Sequence, residues 1–263
     1  MEERTLHVVW ANICQGFAFK GGDADHHVHG EYCPGLYSEA LDRLSPDVLG
    51  LCEVPMDSYG DSPLIGDLLD RLGMASASVL PLAKGWLKGG LPGYGIALLS
   101  KWKALSISEC LLKAPPVSAE GPDGTPWVMH NKGAQRMVFE VDSKLVAVDN
   151  VHFFPAHHFG LSLTDPVFRE ERERLDAFLA SGEGALRVVA GDFNNRTATL
   201  ATLFPRMCAS GVARDALSAP TLRGSDFQVD HVMYGEGLEV KQMKIMPSLS
   251  DHHIASVTFC LGG

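Results

Sequence analysis

Val188-Val189-Ala190-Gly191-Asp192-Phe193-Asn194-Asn195 decides how the rest of the chain is read. An apolar run that breaks off in Gly-Asp-x-Asn predicts a buried strand ending at a solvent-facing edge, with Gly191 permitting a close backbone approach. Side chains alternate along an extended backbone, so Asp192 and Asn194 are expected on one face and Phe193 in the core. A carboxylate beside a neutral amide is a useful pair: the acid holds a cation or orients a water, and the amide positions that water or a phosphoryl oxygen without adding charge. Gly-Asp-x-Asn alone also describes an ordinary strand followed by an Asx turn.

Working outward, other strands end the same way. Leu6 to Ile13 reads as a buried strand ending on Asn12, and Asp47 to Glu53 as one finishing on Glu53. A glutamate after four apolar strand residues is costly unless it is exposed, paired or bound to a cation, which makes Glu53 a candidate metal ligand. Trp127 to Val141 and Lys144 to Phe154 predict a hairpin closed by Asp142-Ser143, its second strand carrying His152 near its end. Lys132 and Arg136, four apart on the first strand, share a face that could grip a phosphate or simply meet solvent. Phe227 to Tyr234 alternates with Asp230 embedded, and Ser248 to His253 places Asp251 and His252 just before a last strand, Ile254 to Leu261.

Between these strands, helical spacing is read over Leu36–Leu44, Asp61–Gly73, Pro166–Ala180 and Ala198–Ala209, and strands over Ala75–Leu82, Tyr94–Ser100 and Leu105–Lys113. Lys20–Pro34 and the Pro- and Gly-rich Ala114–Pro126 are expected to be loops. The first contains Asp23, Asp25, His26, His27 and His29, residue types that bind transition metals, though no ligand spacing defines a geometry. His157, His158 and Phe159, just past His152, either shape a pocket or form an ordinary surface loop. Strands and helices interleave without an internal repeat or a shift in composition, which predicts an α/β or α+β fold in one domain over residues 1–263.

Composition narrows the functions. With 263 residues, 46% hydrophobic, the chain can bury a large core, and its net charge of -10 offers no global basic field to hold duplex DNA. Six scattered cysteines with no Cys-x-x-Cys pair argue against a zinc knuckle or a disulfide scaffold and for reduced thiols in a cytoplasmic protein. The acidic start, Met1-Glu2-Glu3-Arg4, reads as neither signal peptide nor anchor, and no apolar run reaches membrane-spanning length.

Taken together and in order, Asn12, Leu51-Cys52-Glu53, Val151-His152, Gly191-Asp192-Phe193-Asn194, Val229-Asp230-His231 and Ser250-Asp251-His252 resemble the endonuclease/exonuclease/phosphatase family, the DNase I-like superfamily. The resemblance implies a four-layered sandwich, two mixed β-sheets face to face with helices outside. It also implies a magnesium-dependent phosphoesterase, manganese substituting, that hydrolyses phosphodiester bonds in the manner of a nuclease. By matching position, Glu53 resembles the principal metal ligand with Asn12 and Asp251 close by. His252 resembles the histidine paired with a buried aspartate, here Asp230. Asp192 and Asn194 resemble the pair that orients the attacking water, and His152 the residue that meets the phosphate or leaving group. Cys14 stands where some relatives carry an aspartate, which removes one outer metal contact.

The chemistry needs an activated water, compensation of charge on the phosphoryl oxygens and help for the leaving oxygen, and a hard cation with a His–Asp pair meets these needs. Sequence leaves open whether Asp192 or His252 takes the proton; a shared role is expected, Asp192 aligning the water and His252–Asp230 stabilising the transition state. The substrate is a phosphate ester, with nucleic acid, a small phosphorylated metabolite or a phospholipid headgroup all compatible, and a catalytically silent binding module is the reading from another class. Specificity is expected to lie in residues 20–35, 114–126 and 155–165.

Overall fold

A computed structural model describes residues 4–22, 27–121, 124–182 and 185–262. In chain order the elements are β1 (Thr5–Asn12), β2 (Phe17–Gly22), β3 (His27–Tyr32), α1 (Pro34–Asp42), β4 (Val48–Met56), α2 (Pro63–Leu72), β5 (Ser76–Lys84), β6 (Gly93–Ser100), β7 (Ser106–Leu112), β8 (Ser118–Glu120) and β9 (Pro126–Val128). There follow β10 (Lys132–Val141), β11 (Lys144–His152), α3 (Arg169–Ala180), β12 (Leu186–Asp192), α4 (Leu200–Leu203), α5 (Pro205–Ala209), β13 (Arg214–Asp215), β14 (Asp230–Tyr234), β15 (Leu238–Met246) and β16 (Ile254–Leu261). Two six-stranded sheets form, in the orders β15-β16-β1-β4-β6-β5 and β13-β14-β12-β11-β10-β7. Each is mixed: β1 runs parallel to β4 and β11 to β12, while the other pairings are antiparallel.

Period-two patterning sorts the apolar residues into three layers. Val8 and Trp10 of β1, Ile96 and Leu98 of β6, Met137 and Phe139 of β10, and Val188 and Ala190 of β12 meet between the sheets. The alternate residues Val9, Ala11, Leu49 and Leu51 pack under α1 and α2 through Tyr37, Leu41, Leu64 and Leu68. On the other sheet Ala134, Val151, Val189 and Met233 pack under α3, α4 and α5. The result is the expected α/β four-layered sandwich. Helix limits follow local chemistry: α2 starts with Pro63 in its first turn and stops at Gly73, whose φ of 60° suits a left-handed cap.

The hairpin turn Asp142-Ser143 is as expected, both residues at positive φ (50° and 66°). Several local expectations are corrected. Lys20–Pro34 is not simply a loop: β2 and β3 pair irregularly, steadied by the Phe17 and Tyr32 rings 5.3 Å apart. Asp23, Asp25 and His26 lie outside the described residues. The Ala114–Pro126 stretch likewise gives up Ser118–Glu120 to a short β8–β9 ladder. Ala198–Ala209 divides into α4 and α5 because Pro205 cannot continue the first helix. Asp230 opens its strand rather than lying inside it.

Two buried polar clusters hold the layers. Asp149 of β11 accepts Arg136 Nε (2.7 Å) and Nη2 (3.0 Å) and Arg187 Nη2 (3.2 Å). Arg136 also donates to the Phe178 carbonyl, and Arg187 to that of Leu179, so both cations sit at the C-terminal end of α3. Asn150, the next residue, points the other way and ties the sheets together: its amide nitrogen donates to the carbonyls of Leu51 and Ala97 (2.9 Å each), and its oxygen accepts Trp10 Nε1 (3.0 Å). Asn150→Ala strands these three buried groups and should lower unfolding free energy by about 2–4 kcal/mol. Urea denaturation checks this, and a loss below 1 kcal/mol would show that the sheets do not rely on the peg.

Candidate active site

The site forms where the inward-facing alternation runs out of apolar residues at one edge of the sandwich. Val8, Trp10, Asn12 on β1, Val146, Val148, Asn150, His152 on β11 and Val188, Ala190, Asp192 on β12 are successive residues on one face of each strand. On the second sheet the register sets His152 beside Asp192 and Asp192 beside Asp230 across three adjacent strands. Gly191 makes this approach possible: a Cβ there would come within 2.4 Å of the Val151 carbonyl oxygen. From the opposite sheet, Asn12 donates through Nδ2 to Asp192 Oδ2 (3.2 Å) while its own oxygen accepts the Cys14 N–H (3.0 Å).

Glu53 arrives by a different device. β4 does not finish at Glu53 but runs on to Met56, with a bulge between Cys52 and Val54 and Glu53 itself at φ 55°. In an unbroken strand Glu53 would follow Leu49 and Leu51 under the helices; the bulge gives that place to Val54 and frees Glu53 to turn to the site. Its carboxylate lies 3.9 Å from His152 Nε2.

His252 comes from the turn ahead of β16. Ser250, fully buried, donates to Asp251 Oδ1 (2.7 Å) and accepts the His252 N–H (3.3 Å), which fixes the directions of both neighbours. His252 Nδ1 contacts both oxygens of Asp230 (3.0 and 2.9 Å), leaving Nε2 3.9 Å from Asp192 Oδ2. Burial alone would lower the His252 pKa, but the Asp230, Asp251 and Asp192 carboxylates outweigh it and hold it well above the ordinary value.

Asn194 corrects the expectation of a shared strand face. β12 stops at Asp192, and Asn194 adopts φ 50°, its N–H donating to Asp192 Oδ1 (2.9 Å) and its side-chain amide to the Phe153 carbonyl (3.0 Å). Turn geometry rather than alternation brings it beside Asp192; Phe193 is buried as expected. Lys132 and Arg136 do not act together: Arg136 is spent on Asp149, whereas Lys132, buried, puts Nζ 2.7 Å from His152 Nε2. Lys132 is thus a site residue whose weight the sequence understates; a lysine opening an apolar strand was the available signal. His152 Nδ1 is buried with no hydrogen-bond partner among the described residues.

The electrostatics are those of a crowded acidic cluster. Burial pushes Glu53 up to about 7, with Lys132 opposing and Asp251 adding to the shift. Burial also raises Asp192, and it lowers Lys132 against the pull of Glu53 and Asp192. Hard carboxylate and amide oxygens short of countercharge fit a hard divalent cation. Asp192, Asp230 and His252 bring ligand atoms within 4.8 Å of one another and form a second group able to hold a metal, although Asp230 is already engaged by His252. His29 reaches the site through Cys14 Sγ (3.2 Å). A cavity of about 590 Å³ opens over these groups, with His157, His158 and Phe159 in its wall.

The model of the endonuclease/exonuclease/phosphatase family matches residues 35–252. The chain belongs to this family. Its members are generally phosphoester hydrolases and generally depend on a divalent metal. No curated protein matches the chain in sequence. The fold is similar to that of a family protein from Beutenbergia cavernae DSM 12333 at 18% identity and TM-score 0.70, covering 99% of this chain and 72% of that one. It is also similar to the human Nocturnin catalytic domain, crystallised with sulfate, at 20% identity and TM-score 0.64, covering 97% and 93%. A mannosyl-6-phosphatase from Bacteroides thetaiotaomicron VPI-5482 is similar at 14% identity and TM-score 0.56, covering 97% and 98%. Among the described residues no helix is long and apolar enough to cross a membrane.

The bulged glutamate has a consequence in the metal-free protein. An unfolded glutamate ionises near its usual 4.5, the folded one near 7. Ionised Glu53 therefore destabilises the fold fully above pH 7 and not at all below 4.5. Glu53→Gln, denatured by urea with EDTA present, should gain about 1–3 kcal/mol at pH 8, a gain that fades toward pH 4.5. A loss of stability at pH 8 would mean that Glu53 is well paired without metal.

Proposed function

We propose that this family member is a magnesium-dependent phosphoesterase that hydrolyses phosphodiester bonds, within one domain spanning residues 1–263. The observation that carries the reading is the His252–Asp230 pair facing Asp192, with Glu53 and Lys132 close by. Glu53, Asp251 and the Asn12 side-chain oxygen would hold the cation, magnesium or in its place manganese, which when bound would offset charge on the phosphoryl oxygens. Asp192, held by Asn12 and by the Asn194 N–H, orients the attacking water. Because the Asn194 amide nitrogen is spent on Phe153, its oxygen is left to accept from that water. Asp230 fixes the ring of His252, whose Nε2 faces the developing charge. Lys132 and His152, in contact through Nζ and Nε2 at 2.7 Å, meet the phosphoryl group.

Glu53, His152, Asp192, Asn194, Asp230, Asp251 and His252 are all present, which counts against a catalytically silent module. Six free cysteines, several of them buried, accord with a reducing, cytoplasmic setting.

Bis-p-nitrophenyl phosphate tests the reading directly. Wild type should turn it over with magnesium, and Asp192→Ala and His252→Ala should each lower kcat by at least about 10²-fold. Inactivity of wild type with magnesium and manganese, extended to DNA, RNA, phospholipids and phosphomonoesters, would replace the enzyme with a binding module.

A further inference from the structure

The cavity is much larger than its chemistry requires. About 590 Å³ lies within the range of sites that enclose a whole small molecule, and most of the residues lining it are not among the groups assigned to the chemistry. The walls are built largely of rings. The segment before β6 brings Trp86, whose ring stands edge-on to Tyr94 (centroids 4.9 Å, 89°) and 5.8 Å from His130. The β8–β9 hairpin brings Trp127, edge-on to His158 (5.6 Å, 86°), and Phe159 also lines the cavity. Gly121 packs close to the Trp127 indole, since a Cβ there would lie 2.4 Å from its Nε1. Trp86 stays 45% exposed and Val128, beside Trp127, 57% exposed, apolar surface turned to a cavity rather than to a core.

The charges limit what enters. Lys132 and Arg196 are the lysine and arginine among the described residues lining the cavity, and the Arg196 guanidinium rests over the Phe227 ring at 4.7 Å. Two such cations suit one phosphoryl group with its immediate neighbours. A nucleic acid strand needs a track of phosphate contacts, and a chain of net charge -10 supplies no field to attract one.

We propose that the cavity takes a planar aromatic group of the substrate against the ring-lined wall that includes Trp86 and Trp127, so that the protein acts on a small phosphoester selected by one aromatic substituent. The proposal rests on the phosphoesterase reading and names the substrate class of that same site. Rings are favoured over an alkyl chain because edge-to-face and offset ring pairs add to burial, while an aliphatic tail gains burial alone.

A series of magnesium-supported p-nitrophenyl phosphodiesters tests this, the leaving group held constant and the second substituent methyl, hexyl, phenyl or 1-naphthyl. Each kcat/KM is divided by the rate of the same ester in hydroxide, which removes electronic differences. The naphthyl ester should exceed both methyl and hexyl by about tenfold or more. Trp86→Ala and Trp127→Ala should bring that ratio within about twofold of unity, and Tyr59→Ala, an exposed ring outside the cavity, should leave it intact. Equal values across the series, hexyl matching naphthyl, or a ratio that survives both tryptophan variants would overturn the proposal. Calorimetric binding of 1-naphthyl phosphate against methyl phosphate separates it from its parent. Without turnover of any ester, tighter binding of the naphthyl compound keeps the aromatic site and discards hydrolysis; equal binding discards both.

Discussion

One buried amide sets the relation between the two sheets. Asn150 lies among apolar neighbours, where an unpaired amide would be costly, and it is paired at each end to backbone or indole of the opposite sheet. Apolar sheet faces alone tolerate sliding, because burial has little directional preference. Three directional bonds to β1, β4 and β6 do not. Gly50 leaves room for the contact, since a Cβ there would meet Trp10 at 3.0 Å and Asn150 at 3.4 Å. Asn150 is two residues from His152, so the peg also fixes how far each strand end reaches. Asn12 meets Asp192 across the sheets only while that register holds.

The site is stable in parts and strained in others, and the distribution is informative. His152 and Asp192 come from strand positions paired on both sides and Asp230 from one paired to Asp192, and none of the three needs a positive φ. Glu53 and Asn194 both sit at positive φ, a cost that neighbouring bonds and packing must offset. Of the two, Glu53 is the residue that a regular strand would have aimed elsewhere, under the helices. Carboxylates accumulate where burial disfavours their charge, and Lys132 neutralises them only in part. The arrangement trades stability for a strong pull on a cation.

What could be read from the sequence was the alternation and its breaks. Val188-Val189-Ala190 followed by Gly-Asp predicted a strand, its inward face and the point where it ends, because each of these follows from period two and from glycine's small size. The same logic put Asn12 and His152 at strand ends, where the structure has them. It failed where a turn or bulge reset the phase: Glu53 looked like a strand terminus, and Asn194 looked like a strand neighbour of Asp192. Lys132 was undervalued because a lysine at a strand's start is usually exposed, and only the fold reveals the acids around it. The β2–β3 and β8–β9 hairpins were hidden by glycine and proline, which mark turns but do not say whether their flanks will pair.

Those hairpins show how the fold divides its labour. Asn12, Glu53, His152 and Asp192 stand on long strands of the two sheets, packed on both faces by the three cores, and Asp251 and His252 on the turn that leads into β16. The cavity walls stand on short two-stranded ladders and connecting segments, where a change of residue disturbs little else. A chain can therefore keep Glu53, Asp192 and His252 in place while its walls are rebuilt around a different organic group. The three structures described share the fold at 14–20% identity. For an acidic chain the proposed reading has a further consequence: a net charge of -10 supplies no global field for a polyanion, so selection falls to close contact, which in this cavity is aromatic surface beside Lys132 and Arg196.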